Sequence, residues 1–584
     1  MIRNQPNQNN KIWNRIIILL SAVGLIVCIA LLFQEIRQII LDCAMQILNR
    51  ELFSYENTLK FLLSLASGGI CFILFFDYCT LTNSGRMLVQ SVKQEIKDCL
   101  SEIDFKVFVK PVLLMSGIYL LGFLTIIRAN FLYYDDIVHS ISGYREWYNW
   151  SRYVIVFLSY FVQPEINMTD ISPIPQLLAV FILSCSSVLL VFILGKGKIT
   201  TVRLLASIPL GLSPFFLECL SYKFSAPYFA LSFMTCLVPF LFINRKKAFF
   251  FISVMSLLII CMTFQVSSGI YPMITILLCF QYWNSREKTN KEILSFIGIA
   301  AVAFCLSMLL FRLFLMKPYE YNGLYASTKI HSITQFIPGT LNNIKNYAIA
   351  INRDLGVIWK IGIVFVCVLF ITKSVYLSSR KMIFSFLISI LVIVLSFILS
   401  FGAYIFLAVL EFNPRVLIGF GVFMAIFCVY VVSDYKRIAA ISVLALNWCF
   451  FVFAFSYGNA LADQARYTEF RVGMLLHDLN SLYLDQSEND MSIQLKNSIG
   501  FAPTIKNIAK HYPVIERLVP PRLGITHNIF DRTYFLFHFN YDPNMMYIEF
   551  SVVDFDTLDF PVVLDSYYHT IKSDGEHILV ILKH

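Results

Sequence analysis

Asp135 and Asp136 stand side by side just past the end of an apolar span, in a chain with only 14% charged residues. Tyr133, Tyr134, Gly143, Tyr144, Trp147, Trp150 and Arg152 surround them in sequence. Adjacent carboxylates repel, so at least one of them can have a raised pKa and, once ionised, serve as a proton acceptor near neutral pH. On a helix the two side chains project about 100° apart, and only one faces a given reacting hydroxyl. Arg152 carries the planar fork that grips a carboxylate or a phosphate at two points. The bland alternative is a solvated membrane boundary. Charge is tolerated there, whereas near the bilayer centre each residue costs about 2.5–3.5 kcal/mol.

Three further groups have chemical potential. The run Pro214–Pro227 reads as an external turn whose rim holds Glu218, Tyr222 and Lys223. A cation there holds an anionic lipid head group or merely snorkels to the interface. Gln265, with Ser267 and Ser268 after it, sits at an external helix end and hydrogen-bonds a sugar or caps the helix. Asn413-Pro414-Arg415 presents one guanidinium outward, as a phosphate ligand or an interfacial anchor. His139 and His331 are isolated and read as non-ligands. The fourteen cysteines lie mostly inside apolar runs and form no CxxC pair, so neither structural zinc nor a disulfide framework is expected. No cofactor is expected, and a divalent metal is left open.

The elements that position these residues are membrane spans. A chain of 584 residues with 58% hydrophobic content and mean hydropathy +0.70 is not a soluble globular protein. Runs of about 18–23 apolar residues recur, each long enough to cross about 30 Å of hydrocarbon as a helix. Backbone amides in lipid must be satisfied within the segment, so these runs are helices. Spans are expected near 13–33, 60–80, 108–127, 176–195, 199–217, 226–243, 248–265, 268–283, 293–315, 357–375, 383–409, 416–433 and 438–456. The first, with Arg3, Lys11 and Arg15 ahead of it, reads as a retained anchor.

With the N-terminus in the cytoplasm, alternate loops collect the cations: Arg86, Lys93 and Lys97; Lys196 and Lys198; Arg245, Lys246 and Lys247; Arg286, Lys288 and Lys291; Arg380 and Lys381; Lys436 and Arg437. The Asp135–Asp136 loop, the 316–356 loop and the tail then face away from the cytoplasm. The net charge of +9 is thus an orientation signal, and nucleic acid is not an expected partner. Residues 82–106 place Val89, Val92, Ile96 and Leu100 at helical spacing, which predicts an amphipathic helix along the membrane face.

The tail has ordinary polarity. Ala462 to Leu479 reads as a helix, and Met546–Val553 and Pro561–Tyr568 as strands. A hairpin at Ser573-Asp574-Gly575 leads into Ile578–Leu582. The fold expected is an all-α polytopic membrane protein of about thirteen spans, with a small extracytoplasmic α+β domain. Its parts are an N-terminal extension (1–106), a transmembrane catalytic domain (107–456) and the tail domain (457–584).

The order of these motifs resembles the bacterial O-antigen glucosyltransferases of serotype conversion. The likeness rests on Asp135-Asp136, Gly143-Tyr144, Trp147 and Arg152, then on Pro214 to Phe224 with Ala226-Pro227 and Ala230-Leu231-Ser232. Phe264-Gln265, Pro414 to Phe420, and Tyr457 to Ala462 with Gln464 extend it, so that it covers about residues 110 to 500. The resemblance implies a GT-C-type fold and an inverting transfer of a hexose, glucose by preference, from a polyprenyl-phosphate donor. Transfer would be to a glycan on the outer face of the bacterial inner membrane.

The family's acidic pair maps onto Asp135 and Asp136, as general base. Arg152, Glu218, Tyr222, Lys223, Gln265 and Arg415 become candidates for binding the donor phosphate or sugar. Implied partners are the lipid-linked donor, the glycan acceptor, membrane lipid, a glycosyltransferase that makes the donor, and a flippase. Where the family carries an aspartate after the Tyr-Lys-Phe run, this chain has Ser225. The rival readings are a polysaccharide polymerase and a non-enzymatic flippase or transporter of lipid-linked glycan.

Overall fold

In the computed structural model of the chain, the described residues are 83–316, 330–410, 412–434, 437–482, 492–521, 523, 529–540, 544–545 and 554–583. The expected spans at 13–33 and 60–80 and the strand at 546–553 lie outside them. The chain divides into two compact units, Met1–Ile103 with Arg312–Leu315, and Asp104–Phe311 with Met316–His584. In the first unit the helix expected between 82 and 106 runs from Asn83 to Glu102.

The second unit carries the site. Among the described residues seven helices are long and apolar enough to cross a membrane: Lys106–Ala129, Ile174–Leu194, Asn290–Leu315, Val357–Tyr376, Met382–Leu399, Pro414–Val431 and Arg437–Leu482. An eighth span is a broken one, Thr201–Leu212 followed by Pro214–Ser221 at a 61° bend. Pro214 starts the second half there, with no N–H to continue the first. The chain is a helical membrane protein.

Its described part does not reach the expected span count. Residues 226–243 form a twelve-residue helix with a 3-10 extension, and 248–265 and 268–283 form helices of 16 and 15 residues. The boundary expected between 265 and 268 falls in a 3-10 turn, Gln265–Gly269, which is buried apart from half-buried Gln265. Similarly, the span expected at 383–409 stops at Leu399 and gives way to a 3-10 turn, Gly402–Phe406. The two turns meet backbone to backbone. A Cβ on Gly269 would fall 1.8 Å from the Leu399 carbonyl oxygen, so only glycine fits.

The last span runs without a break into the tail. Arg437–Leu482 is one helix of 46 residues, about 69 Å long at 1.5 Å per residue. It packs along Lys106–Ala129 at Gly458, where a Cβ would meet Thr125 and Ile126 within 2.5 Å.

The tail builds a five-stranded sheet in the order β2-β1-β5-β4-β3 from β1 (Ser492–Lys496), β2 (Asn544–Met545), β3 (Val562–Asp565), β4 (His569–Ser573) and β5 (His577–Leu582). The β4–β5 hairpin is the one expected from Asp574-Gly575. The parallel pairing of β1 with β5 is long-range and has no local signature in the sequence. The tail core gathers Val472, Leu475 and Leu479 of the long helix with Ile493, Leu495, Ile571, Ile578 and Val580. Ile137, one residue past the acidic pair, is fully buried in that same core.

Candidate active site

Asp136 is the third residue of a short helix, Tyr134–Ser142, and its carboxylate is fully engaged by backbone. One oxygen accepts the N–H of Tyr133 at 3.1 Å and of Lys223 at 3.1 Å, and the other accepts the N–H of Phe224 at 3.4 Å. The side chain is 1% exposed. Burial pushes its carboxyl up to about 7, against the opposing pull of Lys223 and of these N–H donors. Asp136 therefore staples the start of the acidic helix to the Tyr222–Phe224 turn.

Three consecutive residues of this helix thus face three different surroundings. Asp136 holds the turn, Ile137 enters the tail core, and Asp135 is half-buried with no hydrogen bond or ion pair to any described residue.

The cations sort in the same way. Lys223, at 1% exposure, donates from Nζ to Asn130 Oδ1 at 2.7 Å and to Asp170 Oδ2 at 3.0 Å, so its charge is committed to bracing the turn. Glu218 does not pair with Lys223 across the turn. It pairs with Arg415 from another element: one carboxylate oxygen accepts the Arg415 backbone N–H, the other accepts Nη1 at 3.4 Å, and Nη1 also meets the Tyr222 hydroxyl. The Tyr222 ring lies 4.8 Å beneath the same guanidinium. Buried Glu218 and Tyr222 thereby aim Arg415, which keeps part of its surface open.

Arg152 lies 5.8 Å over the Phe264 ring, and its buried Nε has no hydrogen-bond partner. Its charge is felt by, and feels, Tyr404, Arg415, Asp135 and Glu146. Gln265 follows Phe264 directly and is half-buried. The Asp135 carboxylate, without a hydrogen bond or ion pair among the described residues, is within electrostatic reach of two guanidinium groups, Arg152 and Arg415. Asp136 and Lys223 are behind them as scaffold. Among the described residues no group of three or more His, Cys, Asp or Glu is arranged to hold a metal ion.

Residues 124–432, more than half of the chain, match the family Glucosyl transferase GtrII. The chain belongs to that family. A Salmonella phage P22 protein, described as an uncharacterized 55.3 kDa protein in the gtrB 5′ region, is 28% identical over 148 residues. That stretch is 23% of this chain and 30% of the phage protein, so the chain spans less than a third of that relative's length. No solved structure matches. The serotype-conversion resemblance of the sequence thus has an independent counterpart, and the GtrII match begins just ahead of Asp135 and ends just after the Arg415 helix.

Two residues of this GtrII-family site escaped the sequence reading. His139 looked isolated. In the structure its Nδ1 is 2.9 Å from the Tyr144 carbonyl oxygen and its Nε2 is 3.8 Å from Glu146 Oε1. Glu146 opens the 3-10 turn that precedes Arg152, and sat unremarked between Tyr144 and Trp147. Trp147 donates its indole N–H to Ser225 Oγ at 3.1 Å, which ties the loop to the turn that follows Phe224.

The loop is stiff. Arg145 donates from Nε to Ser159 Oγ at 2.9 Å and from Nη2 to the Gln163 carbonyl at 2.7 Å, and stacks 4.0 Å over Tyr160. The tail also reaches in, because the hydroxyls of Tyr133 and Tyr457 both donate to the Leu518 carbonyl.

Proposed function

We propose that this protein moves glucose from a polyprenyl-phosphate donor to a hydroxyl of a cell-surface glycan such as O-antigen, at the outer face of the bacterial inner membrane and with inversion at C1. The observation that carries the reading is the half-buried Asp135 carboxylate, within electrostatic reach of Arg152 and Arg415, in a chain of the GtrII family. Asp135 takes the proton of the acceptor hydroxyl as its oxygen attacks C1. The C1–O bond to the phosphate breaks, and the electron pair leaves with the lipid phosphate. Arg152 and Arg415 meet the charge that grows on that phosphate. General-base assistance of this kind contributes about 10²–10⁴-fold.

Gln265, next to the Arg152 platform, is assigned to a hydroxyl of the sugar. Glu218 and Tyr222 act by holding Arg415. The cationic loops support placing this centre on the extracytoplasmic side, since they fall at the opposite ends of the spans that lead to it. The lipid-linked donor and the flippase that delivers it follow as functional partners of this reading.

The test is transfer of radiolabelled glucose from polyprenyl-phosphate glucose to candidate glycan acceptors by purified protein in detergent. Asp135→Asn is expected to lose about 10²–10⁴-fold in kcat while melting like the parent. Unimpaired transfer by that variant overturns the assignment of the base.

A further inference from the structure

His139 and Glu146 have no part in the transfer just described. His139 lies one helical turn after Asp135 on the same helix face, where side chains at this spacing have Cβ atoms about 5–6 Å apart. The imidazole is 1% exposed. A carbonyl oxygen only accepts, so the contact with Tyr144 fixes the proton on Nδ1 and leaves Nε2 with a lone pair. That Nε2 is buried, has no hydrogen-bond partner, and faces Glu146 Oε1 at 3.8 Å. Trp147 at 4.9 Å and Phe224 at 5.3 Å enclose the ring.

The charged groups around Glu146 are Asp135 and His139 on the acidic helix and Arg152 at the start of the next. Arg145 stands behind His139, with its guanidinium held by Ser159 and by loop carbonyls. Arg415 and Tyr404 are the further neighbours of Arg152.

We propose that Glu146 is a proton-bearing positioning residue: its carboxyl, 3.8 Å from the bare Nε2 of His139, carries the proton that this lone pair faces, and its neutrality sets no second charge beside Asp135 and leaves Arg152 available to the leaving phosphate. The proposal rests on the glucosyl-transfer reading. Two carboxylates flanking one imidazole resist joint ionisation, and unequal surroundings decide which one keeps the proton. Asp135 lies within electrostatic reach of two guanidinium groups, Arg152 and Arg415. Glu146 faces buried His139 with its own side chain partly buried, and that burial, with Asp135 adding to it, raises its carboxyl above the usual range.

Burial also lowers the imidazole, consistent with a neutral ring that accepts. Glu146 keeps its proton throughout the cycle, while the acceptor's proton passes to Asp135 and then to water. Were Glu146 to ionise, its carboxylate would claim Arg152 and set a second negative charge beside the base.

Glu146→Gln replaces an O–H donor with an N–H donor of equal reach. The pH–rate profile of transfer is expected to fall at alkaline pH in the parent and to lose that alkaline fall in this variant. In purified protein, the difference infrared spectrum between parent and Glu146→Gln should show a protonated-carboxyl carbonyl band at neutral pH that bleaches at alkaline pH. A folded Glu146→Gln protein inactive at neutral pH, an unchanged alkaline limb, or no such band would each overturn the proposal. If the parent itself transfers no glucose, the glucosyl-transfer reading falls, and the carbonyl band still decides where the Glu146 proton resides.

Discussion

Two adjacent aspartates with one sequence signature do two jobs here, and a 100° turn of helix separates them. Asp135 faces the guanidinium pair, and Asp136 is buried under backbone N–H groups. Asparagine at 136 offers one acceptor oxygen and turns an amide donor toward donors, which should cost about 1–3 kcal/mol. Thermal melts of Asp136→Asn check this, with a loss of stability expected where Asp135→Asn shows none.

The sign of the pH dependence also follows. The Asp136 carboxyl sits near 7 when folded, against about 3.9 when unfolded. Between those values the folded state holds a proton that the unfolded state has released. Stability therefore falls as pH rises from about 4 to about 7 and is level above that range. Melting temperature across that range, flatter in Asp136→Asn, is the measurement.

The cations divide likewise. Arg152→Ala should lower kcat about 10²–10³-fold without moving the melting temperature, because the Arg152 side chain makes no hydrogen bond among the described residues. Lys223→Ala removes a buried ammonium that braces Asn130 and the solvent-exposed Asp170, and should cost about 1–3 kcal/mol of stability. Thermal melts read beside kcat separate the two cases.

Elements explain why part of this was legible and part was not. The apolar runs, the helix over 83–102 and the β4–β5 hairpin follow from local periodicity and turn chemistry, and the residues that form them were readable in order. The break at Ser213-Pro214 was not, because the helices on both sides of it are as apolar and buried as an unbroken span. The pairing of Glu218 with Arg415 was hidden for another reason: the residues are 197 positions apart and meet through helix packing. His139 could not be linked to Glu146 without the left-handed turn at Gly143 that folds the chain back between them.

Ile137 carries the main consequence at this scale. Its side chain ties the acidic helix to the tail core. Ile137→Ala should remove about 2–5 kcal/mol of packing and lower kcat more than it changes donor KM, since the Asp135 carboxylate loses its alignment. Wild-type kinetics in a protein with the expected loss of melting temperature would separate the helix's position from its packing.

At the scale of the molecule, the tail is packed into the candidate site. Three connections run from it to the site, namely the unbroken helix Arg437–Leu482, Ile137 in the tail core, and the Leu518 carbonyl beneath Tyr133 and Tyr457, and Arg517 pairs with Asp354 of the membrane part. A boundary expected at residue 457 thus falls inside a continuous helix, with contacts to the site on both sides of it. Removing the chain beyond residue 482 would expose Ile137, Val472, Leu475 and Leu479 together and leave the Tyr133 hydroxyl with a buried, unpaired proton. Loss of a buried partner costs about 1–3 kcal/mol per group, and the apolar losses add to it. The truncated protein should therefore insert in the membrane with its spans intact but transfer no glucose, even to a minimal acceptor that makes no contact with the tail. A tail that served only to hold the acceptor glycan would give another result, namely normal turnover on the minimal acceptor with a loss confined to long glycans. Assaying both acceptors with the truncated and full-length proteins distinguishes a tail that positions Asp135 from one that only gathers substrate.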